Sequence, residues 1–162
     1  VESCGEAFRR LAGRRRFVLR VIGAGRSLRL PGVALEERAW SLEREMEEFQ
    51  RCDIGIYPLL DDEWSRGKCG FKALQFMACG VPVVASRVGM NGEIITHGVN
   101  GLLASTIPEW AEALEALVDD AALRRRLGEA ARATVEARYS LAVNAPKFVR
   151  AVQQLWDPSA LS

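Results

Sequence analysis

The chain has 162 residues, of which 49% are hydrophobic, 27% charged and 7% aromatic. That is the profile of one ordinary globular domain, long enough to bury a core without staples and poor ground for low-complexity disorder. Lys and Arg number 22 against 21 Asp and Glu, a net charge of +1, so no global field draws the chain to nucleic acid or to an anionic membrane.

In chain order, residues 1–16 predict a short helix, with Phe8 and Leu11 apolar among arginines. They are charged throughout and do not read as a secretory signal. Residues 17–24 have a buried-strand pattern that ends at Gly23 and Gly25, and 33–40 a second, weakly alternating strand. Ser41 predicts a helix N-cap, with a helix to about Cys52 whose Met46 and Phe49 face the core. A third strand is expected at 54–59, then a polar loop at 61–67 carrying Trp64. Residues 71–79 predict a helix stopped by Gly80. Residues 81–86 form a near-continuously apolar fourth strand, as in a sheet covered on both faces.

Asn91 is read as the cap of a short helix at 92–96, and 101–105 as a fifth strand. The rest predicts helices at 110–118, 121–139 and 145–156, the last capped by Asn144 with Pro146 in its first turn. Its apolar face (Phe148, Val149, Val152, Leu155, Trp156) is expected to pack on the domain's own sheet. No apolar run reaches the roughly 18 residues of a membrane span. The longest, at 76–85, is broken by Gly80 and Pro82. Cys4, Cys52, Cys69 and Cys79 form no CxxC pair and no zinc spacing, so reduced thiols in a cytoplasmic protein are expected. His97, the single histidine, reads as a turn residue before Gly98.

Strands alternate with helices through the first 105 residues, which predicts an α/β fold with a mostly parallel sheet and helices on both faces, followed by a helical carboxy-terminal segment. Ligands in such sheets sit beyond the carboxyl ends of the strands. A doubly wound sheet normally opens with a strand, whereas this chain opens with a helix. Either the strand order is unusual or a first strand is lost.

Three segments can carry chemistry. Gly23-Ala24-Gly25 permits close approach of backbone to a phosphate, or is simply a tight turn. It is not a dinucleotide fingerprint, because Leu28 stands where the third glycine belongs. Arg66, Lys68, Gly70 and Lys72 surround the expected start of the 71–79 helix, where amides and dipole favour an anion. A diphosphate site or a solvated basic loop both fit. The GxxxxGK[ST] order of a P-loop is absent. Ser86 to Glu93, with Gly89, Asn91 and Gly92, follows the fourth strand and suits ligand contact or an ordinary turn. A phosphoacceptor receiver domain would need an acidic pair after its first strand, where Gly23 to Gly25 stand.

The run Gly70-Phe71-Lys-Ala-Leu-Gln75-Phe-Met-Ala-Cys-Gly-Val-Pro-Val-Val-Ala-Ser86, with Gly89, Glu93-Ile-Ile and Gly98-Val-Asn-Gly-Leu-Leu103 in order behind it, closely resembles the carboxy-terminal half of retaining GT-B glycosyltransferases of group 1 (family 4). Asp53-Ile-Gly-Ile-Tyr-Pro-Leu resembles the strand before that family's donor loop. The resemblance spans about residues 5–155. It implies that residues 1–162 form one Rossmann-like domain that binds the donor, a UDP- or GDP-sugar. It implies that Gly70 and Phe71 hold the diphosphate, that Trp40, Ser41 and Leu42 help form the base pocket, and that Gln75 stands where a ribose-binding carboxylate is usual. Gly67 and Lys68 are not acidic where the family's first motif glutamate is expected, so Lys68 and Lys72 are assigned to phosphate charge instead. Gly23 and Gly25 complete the candidate donor site.

The resemblance also implies absences. The strand whose Arg and Lys neutralise the leaving diphosphate, and the amino-terminal acceptor domain, are not in this chain. It is therefore expected to be inactive alone, with no catalytic residue of its own, no metal and no cofactor demanded. The other reading is a non-catalytic assembly module that keeps the fold and pairs with a second copy across an exposed sheet edge. If the last helix reaches toward the absent half, as the resemblance implies, part of its apolar face is orphaned and drives self-association.

Overall fold

The computed structural model describes residues 4–156, the side chain of Trp156 excepted. The first three residues of the first expected helix, the place of Trp156 on the last helix, and residues 157–162 of the expected domain lie outside the described residues.

The chain opens with α1 (Gly5–Ala12), which buries Ala7, Phe8 and Leu11. β1 (Val18–Ile22) pairs in parallel with β2 (Ala34–Arg38), Val18 opposite Ala34 and Ile22 opposite Arg38. A turn of 3-10 helix at Leu42–Arg44 leads into α2 (Glu45–Gln50). β3 (Gly55–Tyr57) pairs in parallel with β4 (Val83–Ser86), and β4 with β5 (Leu102–Ala104). Between β3 and β4 lie α3 (Glu63–Arg66) and α4 (Phe71–Ala78); between β4 and β5 lies α5 (Asn91–Ile94). Three helices close the chain: α6 (Ile107–Asp119), α7 (Ala121–Arg138) and α8 (Leu141–Trp156).

Alternation along β4 and β5 feeds two cores. Val84, Leu102 and Ala104 point into one, with α1, β1 and α6 around Phe8, Leu19, Trp110 and Leu117. Val83, Ala85 and Leu103 point into the other, with Met77 of α4, Ile94 of α5 and Ala131 of α7. All four residues of β4 are buried, as its apolar run predicts for a strand covered on both faces.

Several expectations need correction. The strands form a two-stranded and a three-stranded sheet rather than one, because no backbone pairing joins β1 to β3. The 61–67 segment is not only loop: Asp62 accepts a hydrogen bond from Ser65 N–H and starts α3. Ser41 offers no side-chain cap; its Oγ donates to Glu43 instead. Met46 is exposed and only Phe49 enters the core.

Asn91 lies inside α5, whose N-cap is Met90; its amide donates to Ser86 O at 3.0 Å. α8 starts at Leu141, with Ser140 Oγ accepting from Val143 N–H, so Pro146 sits inside the helix and Asn144 donates to the Arg138 and Ser140 carbonyls. The apolar face of α8 is not packed on the sheet: Phe148 is 71% and Leu155 80% exposed.

Candidate functional site

The carboxyl ends of β3 and β4 open into loops that meet. Ser86 Oγ accepts from Leu59 N–H and donates to Leu59 O, both at 2.9 Å. A Cβ on Gly89 would stand 2.6 Å from the Arg66 carbonyl oxygen, so the β4–α5 turn seats directly on α3. These contacts fix the segment that feeds α4.

α4 opens without a side-chain cap, whereas α3, α6 and α7 are capped by Asp62, Thr106 and Asp120. Its N-cap is Gly70, at φ +70, in the left-handed region that other residues adopt only under strain. A Cβ there would lie 2.5 Å from Ile94 Cδ1 and 3.2 Å from Asn91 Oδ1. The position is closed to any side chain, and the first amides of α4 keep their positive dipole end uncapped. Phe71 is exposed beside them.

Lys72 lies one step into the helix, half-exposed at 48%, and its Nζ is 2.9 Å from Glu45 Oε1, a carboxylate only 16% exposed. Glu45 gathers three of the residues expected at the site. Besides Lys72 it accepts from Trp40 Nε1 and Gln75 Nε2, each at 3.0 Å. Lys72, and after it Trp40, hold the Glu45 carboxyl below the usual carboxylate range. The Lys72 ammonium also stands 5.3 Å from the centre of the Phe49 ring. Trp40, Ser41, Glu45, Tyr57 and Lys72 line a cavity of about 210 Å³ beside β1 and α2.

Other expected residues sit apart. Gly23 continues the β1 ladder, donating to Arg38 O, and packs on Trp40: a Cβ there would be 2.9 Å from Trp40 Cβ. Gly25 is exposed, with nothing near its Cβ position. Leu42 is exposed on the 3-10 turn. Lys68 is half-buried before α4, close enough to Asp62 to help hold that carboxyl below its usual range, after the hydrogen bonds from Ser65. Among the described residues, Gln75 Oε1, on α4 itself, and Asn91 Oδ1, beside the Gly70 turn, are buried without a hydrogen-bond partner.

Glu45 was not legible in the sequence. It reads as one of several acidic residues on a solvated helix face, and its partners Lys72 and Gln75 are 27 and 30 positions away. The arrangement offers a helix dipole and lysine charge to an anion. It offers a carboxylate and a carboxamide to hydroxyl groups. Among the described residues no cluster of three or more His, Cys, Asp or Glu could hold a metal ion, and no helix is long and apolar enough to cross a membrane.

The sequence profile of the family described as glycosyl transferases group 1 matches residues 1–120. A D-inositol 3-phosphate glycosyltransferase of Pseudarthrobacter chlorophenolicus is 36% identical over 129 residues, which is 75% of this chain and 28% of that protein. A glycosyltransferase of Rickettsia africae superposes with a TM-score of 0.78 at 16% identity, over 97% of this chain and 44% of that one. Anabaena HepE, solved in complex with UDP-glucose, gives a TM-score of 0.63 at 20% identity, over 74% of this chain and 32% of that one. The chain thus spans less than a third of the length of the curated relatives it matches. Its parallel strands flanked by helices have the fold of GT-B glycosyltransferases. The chain belongs to the group 1 glycosyltransferase family.

Proposed function

We propose that this domain binds the nucleotide-sugar donor, a UDP- or GDP-sugar, of a retaining glycosyl transfer and is inactive without the polypeptide that binds the acceptor. The observation that carries the reading is the uncapped N-terminus of α4, with Gly70 closed to side chains and Lys72 beside it. A diphosphate placed there would meet free amides and a charge-assisted contact from Lys72, with Lys68 in reserve. Those groups would stabilise the leaving diphosphate as the glycosyl bond breaks, which is electrostatic catalysis rather than covalent chemistry. Gln75 and Glu45 would face the sugar hydroxyls of the nucleotide. The UDP-glucose complex of the Anabaena protein of like fold supports this choice of ligand.

The test is calorimetric titration with UDP, GDP and ADP. One of the first two should bind, and Lys72→Ala should weaken it by about 1–3 kcal/mol, roughly 5- to 150-fold. Unchanged affinity in Lys72→Ala rejects the role of that lysine. No binding by UDP or GDP overturns the donor reading.

A further inference from the structure

The four cysteines are free thiols, and the packing of α2 on α4 brings two of them together. The two helices run side by side, in one direction and one register. Glu45 meets Lys72 across the seam, 27 positions further on. The Phe49 ring meets the Phe76 ring edge-on at the same offset, centres 4.7 Å apart. Cys52 and Cys79 are the next pair at that offset. Cys79 is the C-cap of α4, and Cys52 follows Arg51, the C-cap of α2.

The strands lead to the same place. Gly55 of β3 lies opposite Val83 of β4, and Gly55 N–H donates to Pro82 O. Cys52 and Cys79 therefore stand just ahead of the amino ends of two paired strands. Both thiols are half-buried, whereas Cys4 is buried beside α1 and Cys69 is exposed at the opposite end of α4. Cys79 is near enough to Cys52 to oppose its ionisation.

We propose that Cys52 and Cys79 form a reversible disulfide that fastens α2 to α4 when the chain meets a disulfide oxidant such as glutathione disulfide. Burial pushes both thiols up. Arg132 offsets part of that rise at Cys79. At Cys52 Arg20 offsets part of it, but Glu48, Asp53 and Cys79 add to it. The oxidant therefore enters at Cys79. The Cys79 thiol loses its proton and attacks one sulfur of the oxidant, which forms a mixed disulfide and expels one glutathione thiolate. Cys52 Sγ, which donates to Glu48 O at 3.2 Å, gives up that contact, loses its proton and attacks Cys79 Sγ. The second glutathione thiolate leaves, and the two thiolates take up the two protons. Two protein thiols become one disulfide, and one glutathione disulfide becomes two thiols.

The bond acts on the cavity described above. α2 is six residues long and buries only Glu48 and Phe49. A bond just past its carboxyl end ties the wall that carries Glu45 to the wall that carries Lys72. The closed loop takes in β3, α3 and α4, so the bond also restricts the unfolded chain.

The test is incubation of the folded chain with glutathione disulfide, followed by peptide mapping without reduction, hydrogen exchange and urea unfolding. The main oxidised product should be a monomer with a Cys52–Cys79 cross-linked peptide that dithiothreitol releases. In that product the amides of Glu48 to Arg51 should exchange at least about tenfold more slowly than in the reduced chain, and the urea midpoint should rise. The same treatment of Cys52→Ser should leave a glutathione adduct on Cys79 and neither effect. Separate adducts on Cys52 and Cys79 with no cross-link overturn the proposal, as do thiols that stay reduced in the folded chain. A bond from either residue to Cys4 or Cys69, or between two chains, overturns the pairing. A Cys52–Cys79 bond that leaves exchange in α2 unchanged overturns its role as a fastener.

Discussion

Gly128 lies buried in α7 against the end of α4, and alanine there should destabilise the protein although alanine is the better helix former. A Cβ at Gly128 would stand 2.0 Å from the Gly80 carbonyl oxygen and 3.0 Å from its carbon. That obstacle is backbone, at the positive-φ residue that ends α4 (φ +72), and cannot rotate away. To restore ordinary contact α7 must retreat by about 1 Å or more. Overpacking of this kind costs about 1–3 kcal/mol, and a backbone obstacle puts it at the upper end. Helix propensity returns about 1 kcal/mol. The net loss is about 2 kcal/mol, which at a urea slope of about 2 kcal/mol/M lowers the midpoint by about 1 M.

Gly92, in α5, provides the opposite case. Nothing lies within 4 Å of its Cβ position, so Gly92→Ala should gain about 0.4–1 kcal/mol. Urea unfolding followed by Trp fluorescence reads both variants. A Gly128→Ala midpoint at or above that of the parent, with an unchanged slope, would refute the packing argument.

Two further predictions concern the site. Glu45 has a folded-state pKa below its ordinary 4.5 because Lys72 and Trp40 donate to it. Its stabilisation is therefore complete above about pH 5 and is lost as pH falls through the folded value. The stability gap between the parent and Glu45→Gln should be constant from neutral pH to about pH 5 and close in acid; a gap that widens in acid would contradict the pairing. Gly70→Ala must adopt a left-handed conformation, costing about 1–2 kcal/mol, and meets buried Ile94 as well. It should lower the urea midpoint and weaken nucleotide binding together, and unaltered binding would mean the Gly70 turn does not shape the site.

Local chemistry explains which elements were legible. The uninterrupted apolar run before Ser86 can only be a strand covered on both faces, and Gly80 marks the end of α4 because it takes positive φ. α3 escaped because four residues are too few for a periodic signal, although Asp62 ahead of Glu63-Trp64-Ser65 is a cap that could have been read. Asn144 and Pro146 suggested a later start for α8. Ser140, a better-placed oxygen, caps first and leaves Pro146 inside the helix.

The division into two sheets could not be read from any single segment. β1 and β3 each look like ordinary buried strands, and only the pairing shows that they are not neighbours. Most of the expected donor residues converge on α4, but the carboxylate that holds Trp40, Lys72 and Gln75 together comes from a distant helix. Its place among several acidic residues on one helix, and its distance in sequence from Lys72 and Gln75, hid it.

The most direct measurement of the central claim is a titration of the labelled protein with UDP and GDP followed by amide NMR. If α4 receives the diphosphate, the largest shifts fall on the amides of Gly70 to Ala73, with smaller ones at Trp40 and Gln75, and Lys72→Ala suppresses them. Shifts confined to Gly23–Gly25 or to the surface of α8, or shifts at α4 that survive Lys72→Ala undiminished, would contradict it.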